Sequence, residues 1–282
     1  VANADQSKIK VFREFLKGED IYFPDITVNL LEKYKIYLSS FQQSAPRTIM
    51  NHLLLIRTLF NKAITDGLVD RKYYPFGKGK IKIKLPDSLK IGLEEEEVRR
   101  IEELDLELNT PLFHAKNKWL FSFYFAGMRI SDVLQTKWSD LSDDRLNYRM
   151  GKNQKVVSVK IPLKLKGILA HYEKDKVKSS DFIFPDMKTA NVTDKEDMYR
   201  KLNTAIKNTN DNLVKIAKQT AITKKLTNHI ARHSFGNIAG DKISPQMLQK
   251  LYRHTDIRTT MGYQANFIHK SADEALDSVI NF

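Results

Sequence analysis

A chain of 282 residues is too long for one small domain and long enough for two, each with its own core. It has no cysteine, which excludes disulfide staples, thiolate metal sites and a cysteine nucleophile, and agrees with a reducing cytoplasm. Its 47 Lys and Arg against 34 Asp and Glu leave a net charge of +13 and favour a polyanionic partner, while no apolar run approaches the ~20 residues that span a bilayer.

The chain begins at Val1 rather than methionine, and Val1 to Ser7 lacks the charge-then-apolar layout of a signal peptide. It reads as a protein missing some N-terminal residues. Helical periodicity then places a helix over Thr27 to Leu38, where Leu30, Leu31, Tyr34 and Leu38 share a face. A clearer helix runs from Pro46 to about Asp66, with Ile49, Leu53, Ile56, Phe60, Ala63 and Ile64 in one apolar stripe. Pro46 suits its first turn, Ser44 is its expected cap, and Gly67 stops it. The other face carries Arg47, His52, Arg57 and Lys62 and reads as solvated, with Arg47 and Arg57 as candidate contacts to the polyanion.

Lys72 to Gly92 changes character. Pro75, Gly77, Gly79 and Pro86 interrupt it, and Lys78, Lys80, Lys82 and Lys84 alternate with small or apolar residues. It reads as an extended basic linker able to follow a phosphate backbone, or equally as an edge strand guarded by lysines. The boundary therefore falls between residues 1–88 and 89–282. The second part is mainly helical. Helices are expected over Leu93 to Leu104, Asn109 to about Gly127, Arg129 to Lys137, Leu163 to Lys176, Asp194 to Gln219, Asn228 to Gly240, Pro245 to Tyr252 and Ser271 to Asn281. Leu146 to Met150 and Val156 to Ile161 read as strands of a hairpin whose turn is Gly151 to Lys155.

Several charged and aromatic residues of this second part are spaced in a way that carries chemistry. Tyrosine is a poor nucleophile near neutral pH, because its phenol ionises near ~10, unless neighbours take the proton or stabilise the phenolate. A phosphodiester under attack gains charge on its non-bridging oxygens, which two guanidiniums can clamp. Arg129 and Arg232 are the candidates, with Tyr263 as the nucleophile. His229 and His254 would add hydrogen bonds, and either could move a proton. The leaving 5′ oxygen needs a proton, which Lys152 or Lys155 on the hairpin could deliver.

This ordered set resembles the tyrosine recombinase, or phage-integrase, family, whose C-terminal domain carries an Arg, Lys, His-x-x-Arg, His/Trp, Tyr signature. Gly127 to Leu134 is similar to the first arginine box, and His229 to Phe235 to the second. His254 stands at the third-histidine position, and Tyr263 follows it at the family's usual separation. Lys152 matches the hairpin lysine, which lies early in the turn, and is preferred to Lys155. Asp132 would orient Arg129 or a histidine, and His233 would be a buried support. The family commonly has Leu-Gly before the third histidine, where this chain has Tyr252-Arg253.

The resemblance implies a mainly α protein with a small β-hairpin or sheet. A helical core-binding domain and a mixed α/β catalytic domain would close as a C-shaped clamp on double-stranded DNA. It implies cleavage and rejoining through a 3′-phosphotyrosine without metal or cofactor, within a homotetramer whose C-terminal helices are exchanged. Integration or excision of a mobile element, with accessory DNA-bending or directionality factors, is the expected setting, and an N-terminal arm-binding domain is common in such proteins. Type IB topoisomerases share the chemistry but relax supercoils as monomers, and the compact helical first domain favours a recombinase. A catalytically silent DNA-binding regulator would be free to lose Tyr263 or an arginine. A metal-dependent nuclease fits poorly, because no carboxylate-rich motif accompanies the histidines.

Overall fold

The computed structural model describes residues 2–86, 91–149, 151, 156–240, 242–261 and 279–280. The chain divides into two compact units, Val1–Leu89 and Lys90–Phe282.

The first unit is built on three helices, α1 (Ala2–Phe15), α2 (Val28–Ser40) and α3 (Pro46–Thr65). Thr27 caps α2 by accepting the Leu30 N–H at 3.2 Å, which satisfies one of the helix's orphan donors. Leu31, Tyr34 and Leu38 of α2 meet Leu53, Ile56 and Phe60 of α3 in one core. Leu53 and Phe60 are fully covered, and burial of each stabilises the unit by about 1.5–3 kcal/mol. Helix α1, which no sequence signal marked, adds Phe12 and Phe15, whose rings lie 4.8 and 5.0 Å from Tyr34.

Three expectations for this unit need correction. Ala45, not Ser44, occupies the cap position of α3 and supplies no side-chain bond. His52 belongs to the core rather than to the solvated face, and its Nδ1 lies 2.8 Å from the Tyr34 hydroxyl. The residue stands three positions after Ile49 and four before Ile56, so helical phase carries it inward. Finally, the basic segment does not run on as an extended linker or edge strand. Phe76 and Ile81 are buried in the same core and bridge each other, and Gly77 N–H donates to the Ile81 carbonyl at 3.1 Å. The chain loops back there and leaves Lys78, Lys80, Lys82 and Lys84 exposed.

Burial lowers the His52 pKa from its ordinary 6.5, with the Lys8 charge adding to the effect. The unfolded chain thus takes up this proton at a higher pH than the folded one. The contribution to stability is complete above about 6.5 and is lost as the pH falls toward the lower folded value. An NMR titration should find the folded His52 imidazole protonating below 6.5, and His52→Gln should flatten the acid limb of the stability curve.

The second unit contains α4 (Glu95–Glu103), α5 (Pro111–Tyr124), α6 (Ile130–Leu134), α7 (Leu163–Glu173), α8 (Lys195–Gln219), α9 (Asn228–Ala239) and α10 (Pro245–Tyr252). Its sheet is antiparallel in the order β1 (Leu141–Ser142), β2 (Arg145–Arg149), β3 (Val156–Lys160). Capping chemistry explains several starts. The Glu97 carboxylate accepts the Glu94 N–H at 2.8 Å, Thr110 caps α5 ahead of Pro111, and Asp194 accepts two amides of α8.

Helix α5 is buried around most of its circumference, polar Asn117, Lys118 and Ser122 included, because it separates two cores. Trp119 and Leu120 pack with Leu213 and Ile216 of α8 and Ala231 of α9. Phe121 packs with Leu146 of β2, Leu165 of α7 and Phe184. Strand β1 escaped notice in the sequence because it is only two residues long. The turn that joins it to β2 is Asp143-Asp144, both in the left-handed region (φ 51 and 58), as a two-residue hairpin demands. Among the described residues, no helix is long and apolar enough to cross a membrane.

Candidate active site

The site begins where α5 ends. Ala126 and Gly127 both take positive φ (52 and 69), which turns the chain sharply. Ser122 fastens the turn, its hydroxyl donating to the Met128 carbonyl at 2.5 Å. Arg129 follows as the N-cap of α6, and its carbonyl accepts the Asp132 and Val133 amides at 2.8 and 2.9 Å. Its side chain is half-buried, and among the described residues its enclosed Nη1 meets no acceptor.

Arg232 projects from the middle of α9 and is 3% exposed. Its Nη1 donates to the Gly127 carbonyl at 2.9 Å and its Nη2 to the Tyr252 carbonyl at 3.0 Å. Nη2 also lies 3.1 Å from His254 Nε2. A guanidinium only donates, so Nε2 accepts and the ring proton sits on Nδ1, facing Thr260 Oγ1 at 2.9 Å.

Glycine is required where α9 passes the turn. A Cβ on Gly127 would lie 2.6 Å from Arg232 Cα, and one on Gly92 would lie 2.7 Å from the His233 carbonyl. Gly127→Ala combines that clash with a left-handed φ and should lower the unfolding free energy by roughly 2–4 kcal/mol. Urea unfolding measures this, and a loss below about 0.5 kcal/mol would mean that α9 does not pack so closely.

Asp132 is buried, and its Oδ1 accepts the Gly151 N–H at 3.1 Å. The aspartate thus ties the first arginine box to the hairpin that carries Lys152. Burial pushes its pKa up, against the Gly151 hydrogen bond and the positive charges of Arg129 and Arg232, which favour the carboxylate. Both guanidiniums therefore lie within electrostatic range of one carboxyl group. Tyr148 of β2 belongs to the same cluster and was missed in the sequence. Burial raises its phenol pKa far above 10, Asp132 adds to the rise, and Arg232, Arg129 and Arg253 pull the other way. Its only sequence signal is alternation with the buried Leu146 on β2.

The structure thus gathers Arg129, Asp132, Arg232 and His254. His229 is exposed at the start of α9, and its ring meets that of His233 edge to face at 4.6 Å. Lys152, Lys155 and Tyr263 lie outside the described residues, as does nearly all of the expected C-terminal helix. On the first unit, Arg47 is exposed like the four lysines, and Arg57 is half-buried.

Residues 2–83 match the family model for the phage integrase SAM-like domain, and residues 93–269 match that of the phage integrase family. The chain belongs to the phage integrase family. It is a tyrosine recombinase, of the enzyme class that cleaves and rejoins DNA in site-specific recombination. It is similar to the tyrosine recombinase XerC of Bacillus licheniformis, with 25% identity over 279 residues that cover 91% of this chain and 83% of the relative. Its fold matches the XerH site-specific recombinase in a post-cleavage complex with palindromic difH substrate. That match has a TM-score of 0.67 at 17% identity, over 96% of this chain and 77% of the other. A lambda integrase tetramer bound to a Holliday junction matches with a TM-score of 0.64 at 17% identity, over 93% of this chain and 70% of the other.

Proposed function

We propose that this recombinase binds double-stranded DNA and attacks a backbone phosphate with the Tyr263 hydroxyl, for integration or excision of a mobile element in the cytoplasm. The new bond joins the phenolic oxygen to phosphorus, and the bond from phosphorus to the 5′ oxygen breaks. The tyrosine proton passes to a base, which is His229, or His254 once its Nε2 gives up the Arg232 contact, and Lys152 protonates the departing 5′ oxygen. The 3′-phosphotyrosine conserves the energy of the broken ester, so a 5′ hydroxyl from a second strand reverses the step and completes the exchange.

The observation that carries this reading is the buried Arg232 guanidinium, fixed by two carbonyls and His254. Arg129 shares the field of Asp132 with it and holds a buried Nη1 with no acceptor among the described residues. Two preorganised cations of this kind suit the two charged oxygens of a pentavalent phosphorus. Strand exchange needs paired cleavages, and the matching fold of a tetramer on a Holliday junction supports assembly of four copies on DNA; exchange of C-terminal helices between the copies is part of the proposal.

Nicked duplexes tiled across the ends of the encoding element test the reading. One of them should yield a protein–DNA adduct that survives denaturant, forms equally in EDTA, and maps to a 3′ phosphate. No adduct on any duplex would refute it. Salt should weaken binding steeply, because lysines and arginines displace counterions.

A further inference from the structure

We propose that Tyr252 is a positioning residue that backs the Arg232 guanidinium from its face and keeps it from swinging out of its hydrogen-bonded plane, an inference that rests on the phosphate-clamp role given to Arg232 above. The Gly127 and Tyr252 carbonyls and His254 Nε2 define the directions of its N–H bonds. Those bonds lie in the guanidinium plane. The Tyr252 ring backs that plane from its face, with the guanidinium carbon 3.7 Å from the ring centroid. The same residue is fully buried, and its hydroxyl donates to the Arg232 main-chain carbonyl. A water-excluded cation over a ring face is held more firmly than an exposed one.

The local backbone makes this double use possible. Arg253 takes a left-handed conformation (φ 55, ψ 36) at the end of α10. The reversal lets residues on both sides of Arg253 reach one nitrogen, Tyr252 through its carbonyl and His254 through its ring. The Tyr252 and His254 rings meet edge to face at 5.3 Å, so the tyrosine also braces the histidine that accepts from Arg232.

The test uses the full chain with Tyr252→Phe, Tyr252→Leu and a set of increasingly fluorinated phenylalanines at position 252. Fluorination drains the negative face of the ring while keeping its shape. Single-turnover adduct formation is measured on the nicked duplex, beside a duplex whose scissile phosphate is an uncharged methylphosphonate. Tyr252→Leu should slow the phosphodiester reaction at least about tenfold, and the fluorinated series should fall stepwise over a similar range from Tyr252→Phe. Duplex affinity should stay within about twofold, and the series should flatten on the methylphosphonate, which lacks the charge that Arg232 faces. A flat series on the phosphodiester, or an equal decline on both substrates, overturns the role. Absence of adduct with the unaltered chain overturns the functional reading and this inference together. An adduct with a flat series overturns this inference alone.

Discussion

Tyr263→Phe should leave duplex binding within about twofold and bring covalent capture down to background, a loss on the order of 10⁴-fold or more, if Tyr263 is the nucleophile proposed. The substitution removes one oxygen, the atom that would bond to phosphorus. No neighbouring tyrosine should take over. Tyr148 shares the guanidinium cluster, but burial holds its phenol neutral far above the working pH. A neutral phenol is a weak nucleophile, and Tyr148→Phe should therefore still form adduct. Mass spectrometry of the trapped peptide settles the assignment. A DNA-linked peptide containing Tyr148, or an adduct that survives Tyr263→Phe, would move the nucleophile elsewhere.

Arg232→Lys should carry the second large effect, a fall in cleavage rate of about 10²–10³-fold with duplex affinity little changed. Lysine keeps the charge but not the planar fork, and a single ammonium cannot reach Gly127, Tyr252 and His254 while facing a phosphate. The change also leaves buried carbonyls short of a donor, which costs about 1–3 kcal/mol of stability for each one abandoned. Thermal unfolding at the assay temperature separates the two losses. If folded Arg232→Lys protein cleaves within threefold of the parent, the fork geometry is not what the reaction uses.

Much of this was legible in the sequence, and the omissions have physical causes. Helices α3, α8 and α10 announce themselves through a stripe, a cap or an N-terminal proline, all of which are local. The His52 phase was also local, but a polar residue inside an apolar stripe was assigned by its type rather than by its angle. Phe76 and Ile81 were misjudged because alternating lysines advertise an extended chain, whereas burial of two apolar residues decided the path. The motif arginines and histidines were legible because their chemistry is written in side chains. Tyr148 reaches the site only through strand pairing that a linear reading does not supply. The two carbonyls that hold Arg232 belong to the main chain, which has no letter in a sequence.

That last point bears on how such a protein can diversify. Acceptors supplied by peptide groups survive amino-acid replacement at their own positions, provided the backbone path persists. Lineages can therefore rewrite the surfaces that choose a target while inheriting the reactive centre unchanged. A library aimed at new target preference would do well to randomise exposed positions such as Arg47 and Lys78 and to leave the tight Ala126-Gly127 bend alone.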